Sequence, residues 1–142
     1  MNAVEISRSA LDVEWRRIEL SAQNLANINT TRTADGGVYR PMRLLSGPSV
    51  SFDAMLGARE VGLTAQGVAV LGVEPIADAA RRSFEPTHPH ADADGFVTYP
   101  NVDHASEMTL MIRASRAYEA NLAALSIAQD MYARALDIGR QS

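Results

Sequence analysis

The amino-acid sequence predicts a mainly α-helical protein, in which long N- and C-terminal helices pair as a coiled coil around a small irregular, β-containing middle segment. The first observation is that all six prolines and eight of the nine glycines lie between Gly36 and Pro100. Because glycine and proline break helices, the chain divides into helical arms over residues 1–35 and 101–142 and a middle segment over residues 36–100. The second observation is the helical spacing of apolar residues in both arms.

The N-terminal arm carries an apolar residue every seven positions, the spacing found in helices that pair with another helix. This repeat consists of Val4, Leu11, Ile18 and Leu25. A second apolar stripe lies about 100° further around the helix; it consists of Ala3, Ile6, Ala10, Val13 and Leu20. The width of the apolar surface predicts contacts with more than one neighbouring helix.

The residue pattern of the C-terminal arm predicts one long helix over residues 103–138. Asn101 or Asp103 is the expected N-cap, and Gly139 is the expected end of the helix. Such a helix would be about 54 Å long at 1.5 Å per residue. A compact globule of 142 residues would be only roughly 37 Å across. The helix would therefore extend beyond the globule and expose apolar surface, which favours assembly with other chains. A helical hairpin folded back on a small domain is the alternative.

The sequence of the middle segment predicts a small β element of three or four strands. The apolar run from Gly67 to Val73 indicates one strand, and the alternating run from Gly95 to Pro100 indicates another. A turn at Asp35–Gly37 predicts a third strand over Val38–Arg40. Residues 43–66 fit no single pattern, although Ser49–Phe52 is compatible with a strand.

Composition excludes several classes of function. The chain has no cysteine, which excludes disulfides, thiolate metal sites and a cysteine nucleophile. All 13 basic residues are arginine, so the lysine of a phosphate-binding loop or a Schiff base is absent. The net charge of −4 argues against nucleic-acid binding. No apolar run is long enough for a transmembrane helix, and charged residues interrupt any secretory signal in the first 20 residues.

One group of residues invites a metal-site interpretation: His88, His90, Asp92, Asp94 and His104. The stretch that begins at His90 resembles the start of a calcium-binding loop. Such a loop needs an acidic first residue and a glutamate at position twelve, where this chain has His90 and Asn101. We therefore expect a solvated turn with no metal and no cofactor. Since no catalytic motif occurs either, we expect neither an enzyme nor a small-molecule substrate.

The sequence motifs resemble those of the flagellar axial proteins, the family of rod, hook and hook-junction subunits. Ser9–Leu11 and Ala22–Thr30 are similar to the family's shared N-terminal signature. Residues 84–103 and 107–121 are similar to the C-terminal block of its short proximal-rod members. The resemblance marks the following positions as assembly contacts: Asn24, Leu25, Ala26, Asn27, Thr30, Asn101, Val102, Glu107, Met108, Arg116, Tyr118, Asn121, Leu122 and Leu125.

The resemblance implies a structural subunit of the proximal rod of the bacterial flagellar basal body. Such a subunit self-assembles through its terminal helices and forms part of the torque-transmitting drive shaft. The implied partners are other copies of the chain, other rod proteins and the flagellar type III export apparatus, which delivers subunits to the periplasmic space without cleaving a signal peptide. The alternatives are another rod or hook-basal-body component, or a cytosolic helical adaptor.

Overall fold

The computed structural model describes residues 3–49, 67–77 and 80–140. Two long helices and two small antiparallel sheets of two strands each make up this part of the chain. In chain order the elements are α1 (Ala3–Ala26), β1 (Met42–Pro48), β2 (Val68–Pro75), β3 (Ala80–Phe84), β4 (Phe96–Pro100) and α2 (His104–Arg140). None of the described helices is long and apolar enough to cross a membrane.

The C-terminal arm is one unbroken helix of 37 residues, about 55 Å long, so the alternative of a helical hairpin is wrong. Asp103 is the N-cap, since its Oδ1 accepts a hydrogen bond from the Ala105 N–H at 3.1 Å. The predicted stop at Gly139 is also wrong, because α2 continues to Arg140. Gly139 does not adopt the left-handed conformation of a C-cap, and a glycine within a helix costs only about 1 kcal/mol relative to alanine.

The two helices pack against each other in antiparallel orientation. Asn24, near the end of α1, contacts Glu107 in the first turn of α2. Further along, the Trp15 ring lies 6.2 Å from the Tyr118 ring, centroid to centroid. Extending this alignment places the start of α1 opposite Ala128, which is buried. Residues 129–140 therefore extend beyond the described part of α1, and all of them are exposed.

The first sheet pairs β1 with β2 and carries a bulge between Leu45 and Ser46. Strand β2 confirms the strand predicted over Gly67–Val73. The strand predicted over Val38–Arg40 is wrong, because the strand begins at Met42, after Pro41. Pro41 has no N–H with which to extend the ladder toward Arg40. Apart from Met42, β1 falls in the range that the sequence pattern left unassigned. Ser49 is outside any strand, and the rest of the compatible stretch lies outside the described residues.

The second sheet pairs β3 with β4, and β4 confirms the strand predicted over Gly95–Pro100. Val97 is fully buried at its centre. The rings of Phe84 and Phe96, which are paired across the strands, lie 5.3 Å apart in an edge-to-face arrangement. The partner strand β3 was not predicted, because its sequence Ala-Arg-Arg-Ser-Phe has no apolar alternation. Pairing with β4, rather than local propensity, holds these residues extended.

Candidate assembly interface

Asn24 is the centre of a buried polar network that joins α1, α2 and β1. Its Nδ2 donates to Glu107 Oε1 at 2.8 Å and to the Met42 carbonyl at 2.9 Å. Its Oδ1 accepts from the Met42 N–H and from the Tyr39 hydroxyl, both at 3.0 Å. An amide side chain offers two N–H donors and two acceptor positions, so all four are used here. Because Asn24 is 1% exposed, this network lies inside the subunit.

Glu107 is the partner of Asn24 on α2 and is 6% exposed. One carboxylate oxygen accepts from Asn24, whereas Oε2 is buried and has no hydrogen-bond partner among the described residues. Its position in the first turn of α2 places negative charge at the positive end of the helix dipole. Burial, and after it the Glu107 charge, raise the pKa of the Tyr39 hydroxyl, which keeps Tyr39 a donor toward Asn24.

Ser9, from the N-terminal signature, ties the first sheet to α1. The Ser9 hydroxyl donates to the Ile6 carbonyl at 2.7 Å, and its oxygen accepts from the Val68 N–H at 3.1 Å. Val68 is the first residue of β2. The Ser9 hydroxyl oxygen therefore accepts the first N–H of β2, at the point where this strand meets α1.

Asn27 and Thr30 close the end of α1. Asn27 Nδ2 donates to the Gln23 carbonyl at 2.9 Å, and the same carbonyl accepts the Asn27 backbone N–H at 3.1 Å. The Thr30 hydroxyl donates to Asn27 Oδ1 at 3.1 Å, and the Thr30 N–H donates to the Asn27 carbonyl at 2.9 Å. These two signature residues therefore stop the helix and turn the chain.

The outer surface of α2 is strongly apolar. Leu122 is 50% exposed and Leu136 is 69% exposed. The larger apolar side chains of α2 that are exposed in the structure are Met108, Leu110, Ile112, Leu122, Ile127, Met131, Tyr132, Leu136 and Ile138. They run from the first turn of α2 to its last. Exposed apolar side chains along the whole length of a helix favour contact with other protein chains.

An aromatic pair lies where the two helices meet. Tyr118 is half-buried, whereas its ring partner Trp15 is 59% exposed. Trp15 was absent from the predicted contact residues, although its type favours interfaces. The large aromatic side chain of Trp15 on an apolar helix face is the sequence feature that could have identified this contact.

The remaining predicted residues lie at the end of α1, just before α2 and along α2. Ala26, Asn101 and Arg116 are exposed, and Leu25, Val102, Asn121 and Leu125 are half-buried. Asn121 Nδ2 donates to the Ala117 carbonyl in the preceding turn, at 2.8 Å. The predicted set therefore divides into an internal group around Asn24 and an outward-facing group along α2.

The loop of histidines and aspartates before β4 forms a hydrogen-bonded turn. Asp92 Oδ1 accepts from the Asp94 N–H at 3.0 Å and from the Phe96 N–H at 2.8 Å, while Oδ2 accepts from Arg82 at 2.5 Å. The backbone bond to Phe96 is the main cause that lowers the pKa of Asp92, opposed in part by desolvation. Over residues 3–49, 67–77 and 80–140, no group of three or more histidines and carboxylates has a metal-holding arrangement. Through these hydrogen bonds Asp92 stabilises the conformation of the turn.

Comparison with known proteins identifies relatives of this chain among the flagellar basal-body rod proteins. Residues 93–138 match the family model described as the C-terminal region of the flagellar basal body rod FlgEFG proteins. The chain is 34% identical to the flagellar basal-body rod protein FlgC of Borreliella burgdorferi, over 96% of this chain and 95% of the relative. It is 32% identical to FlgC of Bacillus subtilis, covering 98% and 97%. It is 33% identical to FlgC of Salmonella typhimurium, covering 99% and 98%.

Proposed function

The chain belongs to the FlgC family of flagellar basal-body rod proteins and is a structural subunit of that rod, and we propose that it assembles in the proximal rod through its paired terminal helices. In this proposal the arms over residues 1–35 and 101–142 form a coiled-coil core, and residues 36–100 form a small β-containing middle segment. Many subunit contacts spread along the helices then carry torque from one end of the rod to the other.

The exposed apolar side of α2 is the observation that carries the proposal. An isolated subunit would leave Ile127, Met131 and Leu136 in water, at 60%, 67% and 69% exposure. Each such side chain gains about 1.5–3 kcal/mol when it is fully buried. Neighbouring copies that pack their own helices alongside α2 would bury this surface. Apolar contact is non-directional, so a row of side chains tolerates load better than a single contact point.

The internal and outward-facing groups of signature residues have different roles in this scheme. Asn24 and Glu107 hold the two helices of one subunit together. Met108, Leu122 and Arg116 lie exposed on α2, where a neighbour can reach them. We therefore assign the contacts between subunits to the second group, together with Tyr118, Asn121 and Leu125.

The partners and the location follow from the rod assignment. The proposed partners are further copies of this chain, adjoining rod proteins and the flagellar type III export apparatus. The proposed position of the rod is the periplasmic space, reached by export of the chain without cleavage of a signal peptide. The function resides in contacts between subunits, so no substrate or cofactor enters the scheme.

A strain that lacks this protein, complemented with an epitope-tagged copy, tests the proposal. We expect the tagged chain to co-purify with detergent-extracted basal bodies and to restore swimming. Immunogold labelling of those basal bodies is expected at the membrane-proximal end of the rod. Label confined to the hook or to the distal rod would contradict the proximal position, and a chain found only in the soluble cytoplasmic fraction would contradict the rod role.

A further inference from the structure

The packing between α1 and α2 combines an apolar seam with one buried polar contact. The most buried apolar side chains of the pair are Leu11, Val13, Ala114 and Ala128. The Asn24–Glu107 hydrogen bond, at 2.8 Å, is a buried contact between side chains of the two helices, and it joins residues 83 positions apart. Both side chains are more than nine-tenths buried. A buried polar contact in an otherwise apolar seam therefore needs a physical reason.

The apolar seam alone specifies the alignment of the helices weakly. Its repeat recurs every seven residues in α1, so a shift of the two helices by seven positions again places apolar side chains together. In the observed alignment Asn24 meets Glu107. A shift by seven positions would bring Asn24 opposite Ala114, which has no side-chain hydrogen-bonding group. A buried polar group that loses its partner is destabilising because its desolvation is no longer compensated, so the shifted alignment is disfavoured.

We infer that Asn24 and Glu107 are positioning residues that set the register of α1 on α2. The same Asn24 side chain also binds both backbone groups of Met42, so the register of the helices and the position of β1 are set together. Stability alone does not account for this pair, because replacing both partners of a buried hydrogen bond by apolar groups of the same shape is nearly neutral or stabilising. A single buried polar residue sets register in this way in paired helices.

Register determines how far the apolar end of α2 projects beyond α1. In the observed alignment residues 129–140 project, and a shift by seven positions changes that overhang by about 10 Å. This consequence rests on the proposed assembly through the terminal helices. Subunits with different overhangs would not pack into one regular rod.

Distance measurement between spin labels tests the register directly. The chain has no native cysteine, so Ala22→Cys and Ala124→Cys place two nitroxides on exposed positions of the two helices. The full-length chain is expected to show one narrow distance distribution. With Asn24→Leu and Glu107→Leu added, we expect a second population, since a seven-residue shift moves one label along the other helix by about 10 Å. Gln129→Leu, an exposed polar-to-apolar change on α2, is the matched control and is expected to keep the single distance.

Two results would overturn the inference. One is a double variant that retains the single distance of the parent chain. The other is a double variant that loses its helical circular dichroism signal. Residues that only set the register are not required for helix formation, so such a loss would show a different role. Basal-body purification separates this question from the proposed function: an unsubstituted chain absent from basal bodies refutes the rod role and leaves the measured register untouched.

Discussion

Gly67 approaches Ser9 so closely that a β-carbon at position 67 would overlap the serine Oγ. The same oxygen accepts the N–H of Val68, the next residue, at 3.1 Å. Gly67 also has a φ of +85°, in the left-handed region that side chains disfavour. The close approach is therefore what allows β2 to start against α1.

The first prediction concerns this contact. We expect Gly67→Ala to lower the free energy of unfolding by about 2 kcal/mol or more, because the left-handed conformation alone costs roughly 1–2 kcal/mol and Ser9 must also move. Urea denaturation followed by circular dichroism measures the change. Gly72→Ala is the control, since a β-carbon at position 72 meets nothing within 4 Å. Equal stability of the two variants would show that the contact is unimportant.

The second prediction concerns the N-cap of α2. The hydrogen bond from the Ser106 hydroxyl, followed by that from the Ala105 N–H, holds the pKa of the Asp103 carboxyl below its usual range. A lowered pKa in the folded state means that the stabilisation is present above the unfolded pKa of about 3.9 and is lost as the pH falls through the folded value. We therefore expect Asp103→Ala to lower the melting temperature at pH 7.

The difference in melting temperature between Asp103→Ala and the parent chain is expected to shrink as the pH falls below about 4. Thermal melts at pH 7 and at pH 3 measure it. Asp12→Ala, at an exposed position within α1, serves as a control for the loss of one carboxylate. A difference that is the same at both pH values would argue against capping by the ionised side chain.

The third prediction concerns the outer surface of α2. Leu122 is half exposed in the subunit, so Leu122→Asp is expected to keep the melting temperature within a few degrees. If neighbouring chains cover this side chain, the buried charge would abolish entry into basal bodies and swimming. Immunoblots of purified basal bodies and swimming assays give the readout. Leu122→Met keeps the apolar contact and is expected to swim. Swimming by the aspartate variant would contradict an interface at this position.

Leu125 provides a second test of the same surface. It is half-buried, so Leu125→Asp is expected to reduce both stability and assembly. Comparison with Leu122→Asp separates loss of an outer contact from loss of internal packing.

The fourth prediction concerns the end of α2. Trypsin can cut this chain only at arginine, because it contains no lysine. Among the arginines of α2, we expect Arg134 to be cut before Arg113 and Arg116, because Arg134 lies beyond the described part of α1 and its helix turn lacks that packing. Mass spectrometry of a digestion time course at micromolar concentration measures the order. Earlier cleavage at Arg113 or Arg116 would show that pairing with α1 does not protect α2.

Local sequence information was sufficient for the elements with a strong repeating pattern. The helical arms were recognisable because glycine and proline are excluded from most of their length and apolar residues recur at helical spacing. Strands β2 and β4 were recognisable from β-branched and aromatic runs. Strand β3 has no such pattern, and β1 follows Pro41 rather than the glycine turn, so both depend on the partner strand.

The sequence by itself determined the helical class, the long unbroken C-terminal helix and the apolar side chains along it, because these depend on residue periodicity along one element. Motif resemblance placed Asn24 in the N-terminal signature and Glu107 in the C-terminal block, without relating the two residues to each other. Only the tertiary structure decided that these two side chains meet and that Gly67 must pass Ser9. Both relationships join residues more than 50 positions apart, and such contacts are set by how the elements pack and not by the local pattern of either one.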